Sequence, residues 1–468
     1  MINNHDGSLA TTLKQRRQKL AQLVDFPVIL WSGHPSPRNF RANSFPFRAS
    51  SHFLYFAGLP LTNAVICLND GKLDLFMDKP APGSALWHGE TPSPEAIAEM
   101  IGADRVFPLS ELRSHSVGFA ESHSQGAATI AVQNPTTYSQ QQELLGRAVG
   151  AADAPKGIDL DLAKAIISLR LYHDEGALSE LCQAAEVSIA AHKAGMAATP
   201  KAKLEAEVRG AMEGVIIAHN MTRAYTSIVT VHGEVLHNGE YHHSLQPGEL
   251  LLADVGAETP MGWAADITRT WPVTGKFSPT QRDIYNVVKE AHDFCIENLY
   301  PGVEYREIHM TAAGVMAEGL IDLGILRGDI SDLVAMDAHA LFFPHGVGHL
   351  LGLDVHDMED LGDLAGYAPG RERSDRFGLG FLRLDRPLEA GMLVTIEPGF
   401  YQVPGILNDP ERRSTYKDMV DWDRLAQFDD VRGIRIEDDV LITETGAEVL
   451  TAGLPTDLEA VEDLVRGV

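Results

Sequence analysis

The chain has 468 residues, of which 44% are hydrophobic and 22% charged; this is an ordinary globular composition, long enough for two or three domains. Asp and Glu number 65 against 38 Lys and Arg, a formal charge of −27 that argues against nucleic acid or an anionic membrane as the main partner and leaves room for metal cations and small zwitterions. Cys67, Cys182 and Cys295 are too few and too scattered for a disulfide framework and suggest a reducing compartment. No apolar run reaches about 18 residues, and the first residues lack the apolar stretch of a signal peptide. The expectation is a cytoplasmic protein.

In chain order, Ser8 can cap a first helix running to Val24, and residues 26–31 have strand texture. Two β-rich runs, 64–68 and 72–77, flank Asn69-Asp70-Gly71, a hairpin signal. Residues 128–132 are another strand candidate. This third of the chain reads as a mixed α/β domain without a catalytic cluster. Composition shifts near 150, where 150–157 is small and turn-prone; the expected division is an N-terminal domain over 1–155 and a second domain over 156–468. A helix is expected over 158–171. Another follows a cap at Asp174, with Leu178, Leu181, Ala185 and Ile189 on one face, and a third covers 201–218.

Strands then dominate 224–273, with 249–257 and 263–273 reading as an antiparallel hairpin. Ser278 can cap a helix that lines up Ile284, Val287, Val288, Ala291 and Cys295, and a further helix over 305–323 stops at Gly324. The last third returns to strands, most clearly at 393–396 and 434–442. The succession helix, helix, strands occurs twice and suggests two related halves.

Five candidate metal ligands lie in or beside these strands: Asp254 in LLLADVGAE, Asp266 in AADITRTW, His349 in HGVGHLLGLDVHD, Glu397 in VTIEPGFY and Glu437 in GIRIEDDV. Each carboxylate sits among apolar neighbours, where a buried charge must be paired, hydrogen-bonded or metal-bound. Taken singly, an acid at a strand end or a lone histidine is more often structural. Together, four carboxylates and one imidazole form a hard, oxygen-rich set suited to Mn²⁺, Fe²⁺, Co²⁺ or Zn²⁺ in a two-metal site. HGVGH spaces two histidines like a helical zinc pair, but Gly346 and Gly348 disfavour a helix there, so His345 and His349 are not read as ligands of one ion.

The ordered segments DVGAE, DITRT, HGVGHLLGLDVHD, TIEPGFY and GIRIEDD resemble the pita-bread metallopeptidases, the group of methionine aminopeptidase, aminopeptidase P and prolidase. The likeness spans about residues 170–455, and RANSFPFRASSHFLYFAGLP resembles the N-terminal domain shared by aminopeptidase P and prolidase. The resemblance implies an α+β fold, with a C-terminal pita-bread domain behind a smaller N-terminal α/β domain. It implies two divalent ions, foremost Mn²⁺ with Co²⁺ or Zn²⁺ as alternatives, and a homodimer. Asp254 would ligate one ion, His349 and Glu397 the other, and Asp266 and Glu437 would bridge. A hydroxide between the ions would attack, with Glu397 relaying its proton. His356 would stabilise the oxyanion and His237 would face the substrate. His345, Tyr401 and Arg435 would line the pocket or its proton-relay network, and Thr268 would support the ligands.

Two departures stand out: Asn238 replaces the family's aromatic after His237, and Asp254 and Asp266 are 12 apart, one more than expected, with Pro260 in the intervening turn.

The long insert between His356 and Glu397 resembles the prolidase form. Its Arg383 matches the arginine that holds the free carboxylate of a C-terminal proline, whereas Arg386 reads as a surface residue. The resulting expectation is a dinuclear exopeptidase hydrolysing Xaa-Pro dipeptides. The alternative is an aminopeptidase P acting on longer Xaa-Pro peptides. A metal-free pita-bread binding module is disfavoured by retention of all five ligands.

Overall fold

The computed structural model describes residues 8–468. Contacts divide the chain into two units. The first holds the chain up to Gly176 together with Pro260–Gly262 and Met358–Ala365. The second holds Ala177–Thr259, Trp263–Asp357 and Gly366–Val468.

In the first unit, the helix Ser8–Leu23 buries Leu13 and Leu20. The capping role expected of the Ser8 side chain lies outside the described residues. A four-stranded sheet follows the order Val28–Trp31, Val65–Asn69, Lys72–Phe76, Arg105–Phe107; the first three strands are antiparallel and the last pair is parallel. The expected hairpin turns at Asp70 and Gly71, both with positive φ (51° and 72°), which matches the right-handed twist of the flanking strands. Residues 128–132 do not form the expected strand. Only Ala128 bridges to Val28, because Asp159 takes the Thr129 N–H and Gln141 the Val132 N–H, so side chains satisfy the backbone that a neighbouring strand would have paired.

The second unit begins within the helix Glu175–Ala198, and the helix Glu205–Ala218 follows. The latter starts four residues later than its periodicity suggests, after a short 3₁₀ turn at Thr199–Lys201. Strands Ile228–Thr230, Leu250–Asp254 and Thr268–Pro272 form one sheet with Leu250–Asp254 central, so the expected hairpin is present with Asp254 opposite Thr268. Helices Pro279–Glu297 and Tyr305–Asp322 pack on each other. Ser278 caps the first with a full capping box: its hydroxyl accepts from Gln281 N–H, and the Gln281 side chain accepts from Ser278 N–H. A second sheet orders Leu393–Ile396, Asp438–Ile442 and Ala447–Val449.

The run expected as one strand over 434–442 is broken. Gly433–Arg435 pairs with Gly399–Tyr401, and Asp438–Ile442 pairs with Leu393–Ile396, so the chain changes partner at Ile436 and Glu437. The buried Arg269 guanidinium bridges this break. It donates to Glu437 O at 2.7 Å and to the Asp438 carboxylate at 2.8 Å, tying the Thr268–Pro272 strand to the acid-bearing segment. Among the described residues no helix is long and apolar enough to cross a membrane.

Replacing Ser278 by Ala removes the helix cap and leaves the Gln281 N–H without its acceptor. Urea unfolding is expected to show a loss of about 1 kcal/mol, with hydrolytic activity unchanged.

Candidate active site

The strand ends of the second unit deliver one acid each to a cavity of about 310 Å³. Asp254 ends its strand, and Asp266 lies two residues before the opposite strand begins at Thr268. Glu397 directly follows Leu393–Ile396, and Glu437 occupies the partner-switching break. His349 is held by the Thr395 backbone and side chain: its N–H donates to Thr395 Oγ1 at 3.1 Å and its carbonyl accepts from Thr395 N–H at 3.0 Å. The HGVGH segment is not helical, as its glycines suggest. His349 Nε2 lies 3.4 Å from Asp266 Oδ2 and 3.6 Å from Glu397 Oε1. Ligand atoms of Asp266, His349 and Glu437 all lie within 4.8 Å of one another.

All five expected ligands line this cavity, together with His237, His345, His356, Arg383 and Arg435. The His356 ring stands nearly perpendicular to that of His349, with centroids 4.4 Å apart. Tyr401 and Thr268 do not line the wall; both are buried. Tyr401 joins the hydrogen bonds around it. Its hydroxyl accepts from Arg435 Nη1 at 2.8 Å and meets His345 Nε2 at 2.9 Å. Burial, and then Arg435, hold His345 down at about 3, so its ring is neutral. Its Nδ1 faces Gly346 O at 2.8 Å, an acceptor only, so the proton sits there and Nε2 accepts from Tyr401. The hydrogen bonds therefore run in one direction, from Arg435 through Tyr401 and His345 to a carbonyl. Arg435 Nη2 also donates to Asp254 Oδ2 at 2.6 Å, and Arg435 Nε donates to Thr268 Oγ1. Thr268 in turn donates to Glu437 Oε2 at 2.6 Å.

The electrostatics fit a cation site. Burial raises the Asp266, Glu397 and Glu437 carboxyls above their ordinary range. Neighbouring acids add to this: Asp254 for Asp266, Asp266 for Glu397, and both Asp266 and Glu397 for Glu437. Asp254 Oδ1 is buried without a hydrogen-bond partner. Four acids with an orphaned oxygen and a single imidazole form a donor set that a hard divalent cation satisfies.

Two backbones also meet edge to edge behind the cavity. A Cβ on Gly233 would lie 2.8 Å from Gly433 O, and one on Gly433 would lie 2.3 Å from Gly233 C. Gly233 leads to His237 and Gly433 leads to Arg435.

Residues 179–444 match Metallopeptidase family M24, and residues 13–127 match the Aminopeptidase P, N-terminal domain. The chain belongs to metallopeptidase family M24. It is 30% identical to an Xaa-Pro aminopeptidase of Escherichia coli, covering 97% of both chains. It is 31% identical to a probable Xaa-Pro aminopeptidase of Fusarium vanettenii, covering 90% of this chain and 88% of the relative. Among solved structures, aminopeptidase P of E. coli with the inhibitor Pro-Leu aligns at TM-score 0.79 and 29% identity, and Pseudomonas aeruginosa aminopeptidase PepP at 0.78 and 28%; each covers 98% of both chains. The protein is thus a metallopeptidase, with an N-terminal aminopeptidase P-type domain followed in sequence by an α+β pita-bread domain.

Several residues of this M24 site carry no sequence signal. Tyr225 donates its hydroxyl to Asp266 Oδ1 at 2.5 Å, and Asp439 accepts the Asp266 N–H at 3.2 Å. Asp439 is one of two adjacent aspartates after Glu437, and nothing in that run marks which of them turns toward Asp266. Asn238, where an aromatic was expected, donates to Thr230 Oγ1 and accepts from Glu240 N–H, closing its own loop. The apolar side chains of Leu236, Phe381, Val403 and Ile406 complete the wall.

The raised carboxyls make metal stabilisation pH-dependent. Glu397, at about 7, holds a proton in the metal-free fold over a range where the unfolded chain, with its carboxyls near 4, has lost it. These acids therefore withdraw stability as pH rises through that window, and a bound cation restores it. The gain in unfolding midpoint from added Mn²⁺, relative to chelator, is expected to be larger at about pH 8 than at about pH 6. A gain that shrinks with pH would contradict the clustered-acid account.

Proposed function

We propose that the protein is an Xaa-Pro aminopeptidase, hydrolysing the bond between an N-terminal residue and a following proline. The observation that carries this reading is the convergence of Asp254, Asp266, His349, Glu397 and Glu437 on one apolar-walled cavity. Relatives named Xaa-Pro aminopeptidase, similar through both domains, support the same reading. Those five residues would hold two divalent ions. Mn²⁺ is the proposed metal because the set is rich in oxygen; an E. coli aminopeptidase P has also been solved with zinc substituted. When bound, the ions supply Lewis acidity that acidifies water and polarises the scissile carbonyl.

The chain's own residues do the rest. Glu397 takes the proton of the attacking water and returns it to the proline nitrogen as that bond breaks. His356 donates to the oxyanion, and His237, kept neutral by burial and by Arg435, faces the substrate. Arg435 orients Asp254 and, through Tyr401, His345. Proline has no N–H and a fixed φ, so a site for it must grip the ring rather than an extended backbone. Leu236, Phe381, Val403 and Ile406 provide that apolar grip.

One observation favours a second reading, an Xaa-Pro dipeptidase. Arg383, on the long insert, lines the same cavity as His237. A guanidinium there suits the free carboxylate of a C-terminal proline, a group that a longer peptide replaces with a neutral amide.

Product analysis of one Xaa-Pro dipeptide beside one Xaa-Pro-Yaa tripeptide tests both readings. The aminopeptidase reading expects kcat/KM for the tripeptide to equal or exceed that for the dipeptide. A dipeptide preference of about tenfold moves the conclusion to the dipeptidase, and two intact substrates overturn both. Glu397→Gln is expected to lower kcat by about 10²–10⁴-fold, with a much smaller change in KM. Normal kcat at normal metal content would remove Glu397 from the proton relay. Arg383→Ala is expected to lower the dipeptide-to-tripeptide ratio of kcat/KM by about 10–100-fold, the worth of a charge-assisted hydrogen bond of about 1.5–3 kcal/mol.

A further inference from the structure

The cavity wall that carries Phe381 and Arg383 is an irregular segment, 376–383, with no strand or helix of its own. Its position therefore depends on what grips it from outside. At its start, Arg376 O accepts the N–H groups of Leu379 and Gly380 at 2.9 and 2.8 Å, closing a tight turn. The Arg376 side chain reaches out to Asp337 Oδ2 at 2.8 Å and to the carbonyls of Val334 and Ala335. At its end, Leu382 O accepts from Tyr367 and Arg373.

Between these ends there is one buried anchor. His309, on the helix Tyr305–Asp322, places Nε2 at 2.9 Å from Gly378 O. The ring is fully buried, and burial lowers its pKa to about 4, so it is neutral at working pH. A neutral imidazole has one N–H, and the carbonyl can only accept, so the proton is on Nε2. Nδ1 is buried with no hydrogen-bond partner, so the bond to Gly378 is the ring's single hydrogen bond. The turn has no slack on its other side: a Cβ on Gly378 would lie 2.5 Å from Asp337 Oδ1 and 3.0 Å from His339 Nε2. A helix thus holds a carbonyl five residues before Arg383 (383 − 378 = 5) through a polar contact for which the catalytic machinery has no use.

We propose that His309 is a positioning residue for substrate length: by fixing Gly378 it sets where Arg383 meets the carboxyl-terminal end of the substrate. This rests on the reading that Arg383 recognises that end. His309 touches neither the five ligands nor the substrate. Apart from Gly378, its ring packs against Phe343, centroids 5.4 Å apart, which itself packs edge-on against His345.

The test compares His309→Leu, which keeps volume and removes the donor, with His309→Gln, whose amide N–H can still reach the carbonyl. KM and kcat are measured for an Xaa-Pro dipeptide and an Xaa-Pro-Yaa tripeptide, with metal content determined alongside. His309→Leu is expected to lower the dipeptide-to-tripeptide ratio of kcat/KM by about three- to tenfold, mostly through KM for the dipeptide, at normal metal content. His309→Gln should restore most of that ratio, and His309→Leu should add nothing on an Arg383→Ala background. An unchanged ratio, an equal loss on both substrates, or a full additive effect with Arg383→Ala overturns the proposal. If His309→Leu does not fold, Arg376→Ala, at the partly exposed start of the same turn, must lower the ratio in the same direction; an unchanged ratio there overturns it equally. Arg383→Ala alone separates the two claims. If it leaves the ratio unchanged, the reading of Arg383 and this proposal both fall. If it lowers the ratio while His309→Leu does not, only the proposal falls.

Discussion

Four carboxylates share one buried cavity, and that crowding governs the second unit. Two like charges about 4–5 Å apart repel by about 4 kcal/mol even at an effective dielectric of 20, and Asp266 and Glu437 come within that range. Such a cluster survives folding only if the scaffold is stiff and the charge is neutralised by protons, by cations or by fixed donors. The protein supplies all three routes. The acids are raised toward protonation, Arg435 and Tyr225 donate to Asp254 and Asp266, and the donor set that remains suits divalent ions.

The stiffness comes from the sheets. Each acid sits at a strand end, within two residues of one, or in a strand break rather than on a long loop, so its backbone is held next to paired strand. The break at Glu437 is the least regular of these placements and the most heavily braced. Arg269 clamps its carbonyl, Thr268 donates to its carboxylate, and its own N–H donates to Thr268 O. The same threonine takes a bond from Arg435, so one hydroxyl couples Glu437 to the arginine that orients Asp254.

The candidate ligands stood out in the sequence because an acid inside an apolar strand run is costly enough to demand a reason, and four such acids and one histidine occur in a recognisable order. The hairpin joining Asp254 to Asp266, the helix capped by Ser278 and the turn at Asp70-Gly71 were legible because turn and cap chemistry is local. What escaped was nonlocal. Tyr225 is an unremarkable aromatic until the fold brings its hydroxyl onto Asp266. The partner switch at Ile436-Glu437 was invisible because both halves share the same β-rich texture. Residues 128–132 had strand texture but found side chains instead of a neighbouring strand to bond.

The edge-to-edge meeting of Gly233 and Gly433 has an evolutionary consequence. Neither position can gain even a methyl group without moving the other's backbone, so drift at either is blocked whatever residue stands at its partner. The loop that carries His237 and the strand that carries Arg435 are therefore locked together as a hereditary unit. A change of substrate on this scaffold must therefore come from wall side chains away from these two glycines, such as Phe381 and Arg383.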